Sequence, residues 1–140
     1  MNAREARWRH REGRGNRLPF EGELEFPEVG VSLYVLAPGE PMSIYRWEAN
    51  QEDFLVLSGE ALLIIEGQER PLRQWDFVHC PPGTKHVVLG DGDAACVVLG
   101  VGALLLHGTA EGHRVSQSVS KSGRQRPGMP LPMRESAKEG

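Results

Sequence analysis

From Val31 onward the chain is cut into short apolar runs, each closed by a turn signal, at intervals of about ten residues. The runs fall at 31–36, 43–48, 53–58, 60–66, 76–80, 85–89 and 94–101. Between them stand Ala37-Pro-Gly-Glu-Pro41, Gly59, Gly67-Gln68, Pro81-Pro82-Gly83 and Gly90-Asp-Gly-Asp93. Segments this short, rich in Val, Ile, Leu and aromatics and ended by Gly and Pro, suit strands and leave no room for helices. The cadence predicts an all-β sandwich or barrel. Residues 61–65 and 95–99 are apolar on both faces, as strands buried between two sheets or beneath a partner subunit would be.

A chain of 140 residues has room for one such core. We expect the barrel over 30–107, an irregular N-terminal arm over 1–29 with at most an edge strand, and a flexible tail over 108–140. The arm mixes Arg with Pro and Gly and lacks a helical stripe. The tail is dominated by Ser, Gly, Pro and charge, and has little apolar surface to offset the entropy of ordering it.

Charge is segregated along the chain. Residues 1–17 carry six Arg against two Glu, while residues 18–110 carry four basic groups against fourteen acidic ones. An acidic core excludes a nucleic-acid face on the folded part, since phosphate contacts need clustered Lys and Arg. The basic ends read as solvated segments that balance the core. There is no membrane-length apolar run and no leader pattern, so a cytoplasmic protein is expected. Cys80 and Cys96 are then reduced and act as small buried hydrophobes.

The stretch 76–86 carries the chemistry. An apolar strand runs into Pro81-Pro82-Gly83, which must turn, and the turn delivers His86 to the start of the next strand. Glu52, at the start of another strand, can bring a carboxylate to the same place.

These residues resemble the two motifs of the cupin superfamily, small double-sheet jelly-roll barrels (the double-stranded β-helix). Gly39, Glu52 and Gly59 fit the first motif, and Asp76, Pro81, Gly83 and His86 the second, with Trp75 standing for a family glycine and Gly90 for a family asparagine. The resemblance spans about residues 30–102, and the match is to the small, single-domain cupin-2 type. It implies a divalent transition metal (Mn, Fe, Ni, Zn or Cu) held by three His and one Glu, and a homodimer.

The first motif has lost both histidines. With a three-residue spacer before Glu52, the family ligands fall on Arg46 and Glu48; with four, on Tyr45 and Trp47. Strand alternation puts Arg46 and Glu48 on one face and Tyr45 and Trp47 on the other, and the first register is the favoured one. The expected metal donors are therefore Glu48, Glu52 and His86, with His79 as a fourth ligand or a hydrogen-bond partner behind them. Arg46, Tyr45 and Phe54 are the expected contacts to a small organic ligand. Arg46 opposes a metal, because a guanidinium only donates and is always charged. Two functions remain open: a metal-dependent enzyme acting on a small organic molecule, or a ligand-binding or scaffold barrel whose metal site is lost. No catalytic residue is assigned.

Overall fold

The computed structural model describes residues 1–103, apart from 23, 25 and 27, together with a two-residue strand at 116–117. Every regular element among them is a strand: β1 Arg9–Arg11, β2 Arg14–Pro19, β3 Val29–Leu36, β4 Tyr45–Arg46, β5 Glu52–Ser58, β6 Glu60–Ile65, β7 Gln68–Leu72, β8 Phe77–Cys80, β9 His86–Asp91, β10 Cys96–Ala103 and β11 Ser116–Gln117. They form two antiparallel sheets, a six-stranded one ordered β1-β2-β3-β10-β5-β8 and a five-stranded one ordered β11-β4-β9-β6-β7. This is the expected double-sheet jelly roll.

The core lies between the sheets because each strand turns its alternate apolar residues inward. Leu36, Val56, Val78 and Val98 come from the larger sheet, and Ala61, Leu63 and Val88 from the smaller. Val56, Val87, Val88 and Val98 are fully buried, each contributing about 1.5–3 kcal/mol relative to exposure. Cys80 and Cys96 are free and buried, and burial pushes the Cys96 thiol up to about 11, so it stays protonated and apolar.

β9 is buried on both faces from His86 to Gly90. It pairs with β6 on one side; on the other it meets β4 and the segment before it, through bridges Pro38↔Gly90 and Pro41↔Leu89 and the pair Arg46↔His86. The chain therefore approaches β9 very closely at Gly90, where a Cβ would stand 2.2 Å from the carbonyl oxygen of Ala37.

The expectations for the arm and for the strand over 43–48 need correction. The arm over 1–29 holds more than an edge strand: β1 and β2 form a hairpin turned at Gly13, and β2 extends the larger sheet by pairing with β3 from Asn16↔Val35 to Pro19↔Ser32. Leu18 anchors it at 2% exposure. The strand expected over 43–48 is only two residues long, and β7 was not foreseen, because Gln68-Glu-Arg-Pro-Leu72 is polar and is drawn into the sheet by the open edge of β6. The flexible tail expected over 108–140 lies outside the described residues, except that Ser116–Gln117 pair with Tyr45–Arg46.

Trp75 stands where the motif resemblance places a glycine, and the backbone there is of the kind glycine suits. Its φ is +74° and its side chain is largely exposed. Its N–H still donates to Val56 O, and Arg73 and Asp76 close the turn around it. A large L-residue in the left-handed region costs about 1–2 kcal/mol, and exposure returns little. Trp75→Gly is expected to raise stability by about 1 kcal/mol, read as a higher urea midpoint; an unchanged or lower midpoint would contradict this account.

Candidate functional site

Register places the site. On β10, Gly100 faces Ser32 of β3 on one side and Phe54 of β5 on the other. A Cβ at Gly100 would lie 3.0 Å from the Tyr34 ring and 3.4 Å from the Phe54 ring. Glycine here keeps the space between those rings open. The result is a cavity of about 380 Å3, lined by Tyr34, Glu52, Phe54, Gly100 and Gly102 of the larger sheet and by Arg46, Glu48 and Asn50.

Arg46 of the short strand β4 and Glu48 just beyond it both line this cavity. Tyr45 points away, and its hydroxyl accepts the backbone N–H of Gly67 in the β6–β7 turn at 3.0 Å. Tyr45 is therefore a structural brace, not a cavity contact. Arg46 forms an ion pair with Glu48 through Nε and Nη2, and Glu48 is 6% exposed. A charge this deep needs its partner.

His86 stands opposite Arg46 in the sheet and is 5% exposed. Its two ring nitrogens both meet acceptors: Nδ1 lies 2.8 Å from the carbonyl oxygen of Thr84, and Nε2 lies 2.8 Å from Glu52 Oε2. Both nitrogens then carry hydrogen, which makes the ring an imidazolium paired with a carboxylate. Burial opposes that charge. The neighbouring Cys80 sulfur and the Glu52 carboxylate outweigh it and raise the His86 pKa to about 10. The Phe54 ring leans on the imidazole at 5.5 Å, tilted by 55°.

The site residues expected from sequence are thus divided. Glu52 and His86 come together, Arg46 and Glu48 pair beside them, and Phe54 lines the cavity. His79 does not join them: it alternates with the buried Val78 and Cys80, is half exposed, and lies 2.6 Å from Asp53 Oδ1 on the outer face. Alternation from Cys80 already indicates that orientation.

Among the cavity residues that sequence reasoning missed, two are charged. The N-terminal hairpin sends Arg11 and Arg17 into the space. Arg17 donates through Nε to Ser32 Oγ at 3.0 Å, and its guanidinium lies 5.9 Å from the Tyr34 ring centroid. Arg11 donates through Nη2 to the carbonyl oxygen of Met42 at 2.8 Å. The expectation of solvated, balancing basic ends fails at Arg11 and Arg17, because the hairpin brings both to the cavity.

The donors present do not fit a divalent metal. Among the described residues no group of three or more His, Cys, Asp and Glu side chains is gathered closely enough to hold one. Glu52 and His86 supply two donors. The next position carries a guanidinium, and a cation there would be repelled. What the arrangement does offer is a charge-paired floor, an acid–base pair able to exchange one proton, and guanidinium forks suited to oxyanions.

No curated protein matches the chain. Among solved structures, a putative sugar phosphate isomerase from Acidithiobacillus ferrooxidans is 26% identical with a TM-score of 0.60, covering 65% of this chain and 60% of its own. A sugar phosphate isomerase of the cupin superfamily from Silicibacter pomeroyi is 27% identical with a TM-score of 0.57, over the same shares of the two chains. The chain thus spans about 60% of the length of both. KdgF from Halomonas sp. is 17% identical and covers 76% of this chain and 93% of its own at a TM-score of 0.64, a likeness of fold. The family model described as Cupin domain matches residues 32–102, half of the sequence, and with the motif residues and the double-sheet barrel this places the chain in the cupin family.

Proposed function

We propose that the chain is a metal-independent cupin that binds a small polar organic molecule in the cavity between its sheets. The observation that carries this reading is the pairing of the four central charges, Arg46 with Glu48 and His86 with Glu52. Each group that a metal would need already has an internal partner. The space left beside them has the size and polarity of a small-ligand site.

A second reading is a metal-dependent enzyme that oxygenates or isomerises a small molecule. It draws on the 2.8 Å approach of Glu52 to His86 and on the two isomerases named above.

Metal analysis separates the two. Incubated with excess Mn, Fe, Ni, Zn or Cu and desalted, the protein is expected to retain less than about one-tenth equivalent of any of them. Arg46→His removes the opposing charge, releases Glu48 and restores a family ligand, so that variant is expected to gain metal affinity. Stoichiometric binding by the parent, or equal binding by parent and variant, would sink the metal-independent reading.

A further inference from the structure

The family match begins at residue 32, so the hairpin of β1 and β2 lies outside it. That hairpin nevertheless places two guanidiniums at the cavity. Arg46 is neutralised by Glu48, and Glu52 by His86. Among the described residues Arg11 and Arg17 have no carboxylate within ion-pair distance, which leaves the cavity with surplus positive charge. Arg11 registers that surplus. Burial lowers its pKa, Tyr34 opposes the shift, and the charges of Arg14, Arg17 and Arg46 add to it. Two buried polar atoms on the cavity lining also lack a hydrogen-bond partner among the described residues: Nε of Arg11, a donor, and Oδ1 of Asn50, an acceptor. Buried orphans of this kind are uncommon in native folds, and a ligand is one way to satisfy them.

We propose that Arg11 and Arg17 form an anion receptor, so that the ligand of this cavity is a small hydroxylated organic molecule bearing a phosphate or carboxylate group. The inference rests on the ligand-binding reading given above. The planar guanidinium matches either oxyanion with paired N–H donors, and Arg11 brings the donor that has no partner. Ser32 and Met42 fix the two side chains through one nitrogen each, leaving the others for the ligand. Asn50 Oδ1 accepts from a hydroxyl. Tyr34 and Phe54 supply apolar walls for the ligand's carbon skeleton.

Calorimetric titration of the full chain tests this at fixed ionic strength, with inorganic phosphate, glucose 6-phosphate, glucuronate and glucose as probes. Glucose 6-phosphate or glucuronate is expected to bind and glucose is not, and the preference between the first two identifies the anionic group. Arg11→Gln and Arg17→Gln are each expected to weaken binding roughly tenfold or more. Arg9→Gln is the charge control, since Arg9 is exposed and does not line the cavity; it is expected to bind as the parent does. Urea midpoints of the free variants check that each is folded. Gly102→Val, at a lining position where a Cβ comes no closer than 3.6 Å to a neighbour, fills the space without removing charge and is expected to abolish binding.

Binding lost in Gly102→Val but unchanged in Arg11→Gln and Arg17→Gln would overturn the receptor while leaving the cavity as the ligand site. Binding unaffected by Gly102→Val would overturn the ligand-binding reading itself. Equal binding of glucose and its charged analogues, an equal loss in Arg9→Gln, or no binding of any charged probe would each overturn the receptor.

Discussion

Gly90→Ala is expected to destabilise the barrel by about 3 kcal/mol or more, the upper end of what overpacking costs. The added Cβ would stand 2.2 Å from Ala37 O and 2.7 Å from Leu36 O. These are backbone atoms, which cannot swing aside as a side chain does. Ala37 O accepts from Glu40 N–H and Leu36 is paired with Cys96, while Gly90 N–H donates to Glu40 O and Gly90 O accepts from Gly39 N–H. Relief requires the segment before β4 to separate from β9, and that movement loosens the strand carrying Arg46. Gly102→Ala is the matched control, because its Cβ meets only ordinary contacts. Urea unfolding of both variants measures the difference, and a Gly90→Ala midpoint close to that of Gly102→Ala would refute the close approach.

The second large effect concerns pH. His86 has an ordinary pKa of 6.5 when unfolded and about 10 in the folded chain. A group whose folded pKa is raised binds its proton more tightly in the native state. Its contribution is therefore complete below pH 6.5 and is lost as pH rises through 10. Stability is expected to fall by a few kcal/mol across that window. Glu52→Gln removes the carboxylate that faces Nε2, so the variant should be less stable at pH 6.5 and should lose less stability on the way to pH 10. Urea unfolding at several pH values measures both slopes. A parent whose stability is flat across the window, or a Glu52→Gln slope equal to the parent's, would contradict the imidazolium–carboxylate pair.

Much of the barrel is legible in the sequence because its signals are local. Strands such as 53–58 and 94–101 announce themselves by β-branched and apolar content, and turns such as Pro81-Pro82-Gly83 end them at the right places. Alternation alone also sends Arg46 and Glu48 to one face and Tyr45 to the other. The hairpin is different. Its strands read Arg-His-Arg and Arg-Gly-Asn-Arg-Leu-Pro, with Leu18 almost the only apolar residue. They are strands because β3 offers an unpaired edge and because Leu18 finds a buried seat, and both facts belong to the folded molecule. The same non-local cause hides β7. For His79 the signal is present in its neighbours, since with Val78 and Cys80 both facing the core the residue between them must face outward.

The place of the hairpin has a consequence for how this barrel tolerates change. Residues that hold the vessel together, such as Gly90 and the Glu52–His86 pair, lie within the segment shared with the family. Arg11 and Arg17 lie ahead of it, on a hairpin joined along a single strand, and neither belongs to the buried core. On the proposed reading, selectivity and stability thus reside in different stretches of chain. Exchanging Arg11 and Arg17 would then alter which charge the cavity welcomes at little cost to folding, so one vessel could serve successive ligands while its own architecture stays fixed.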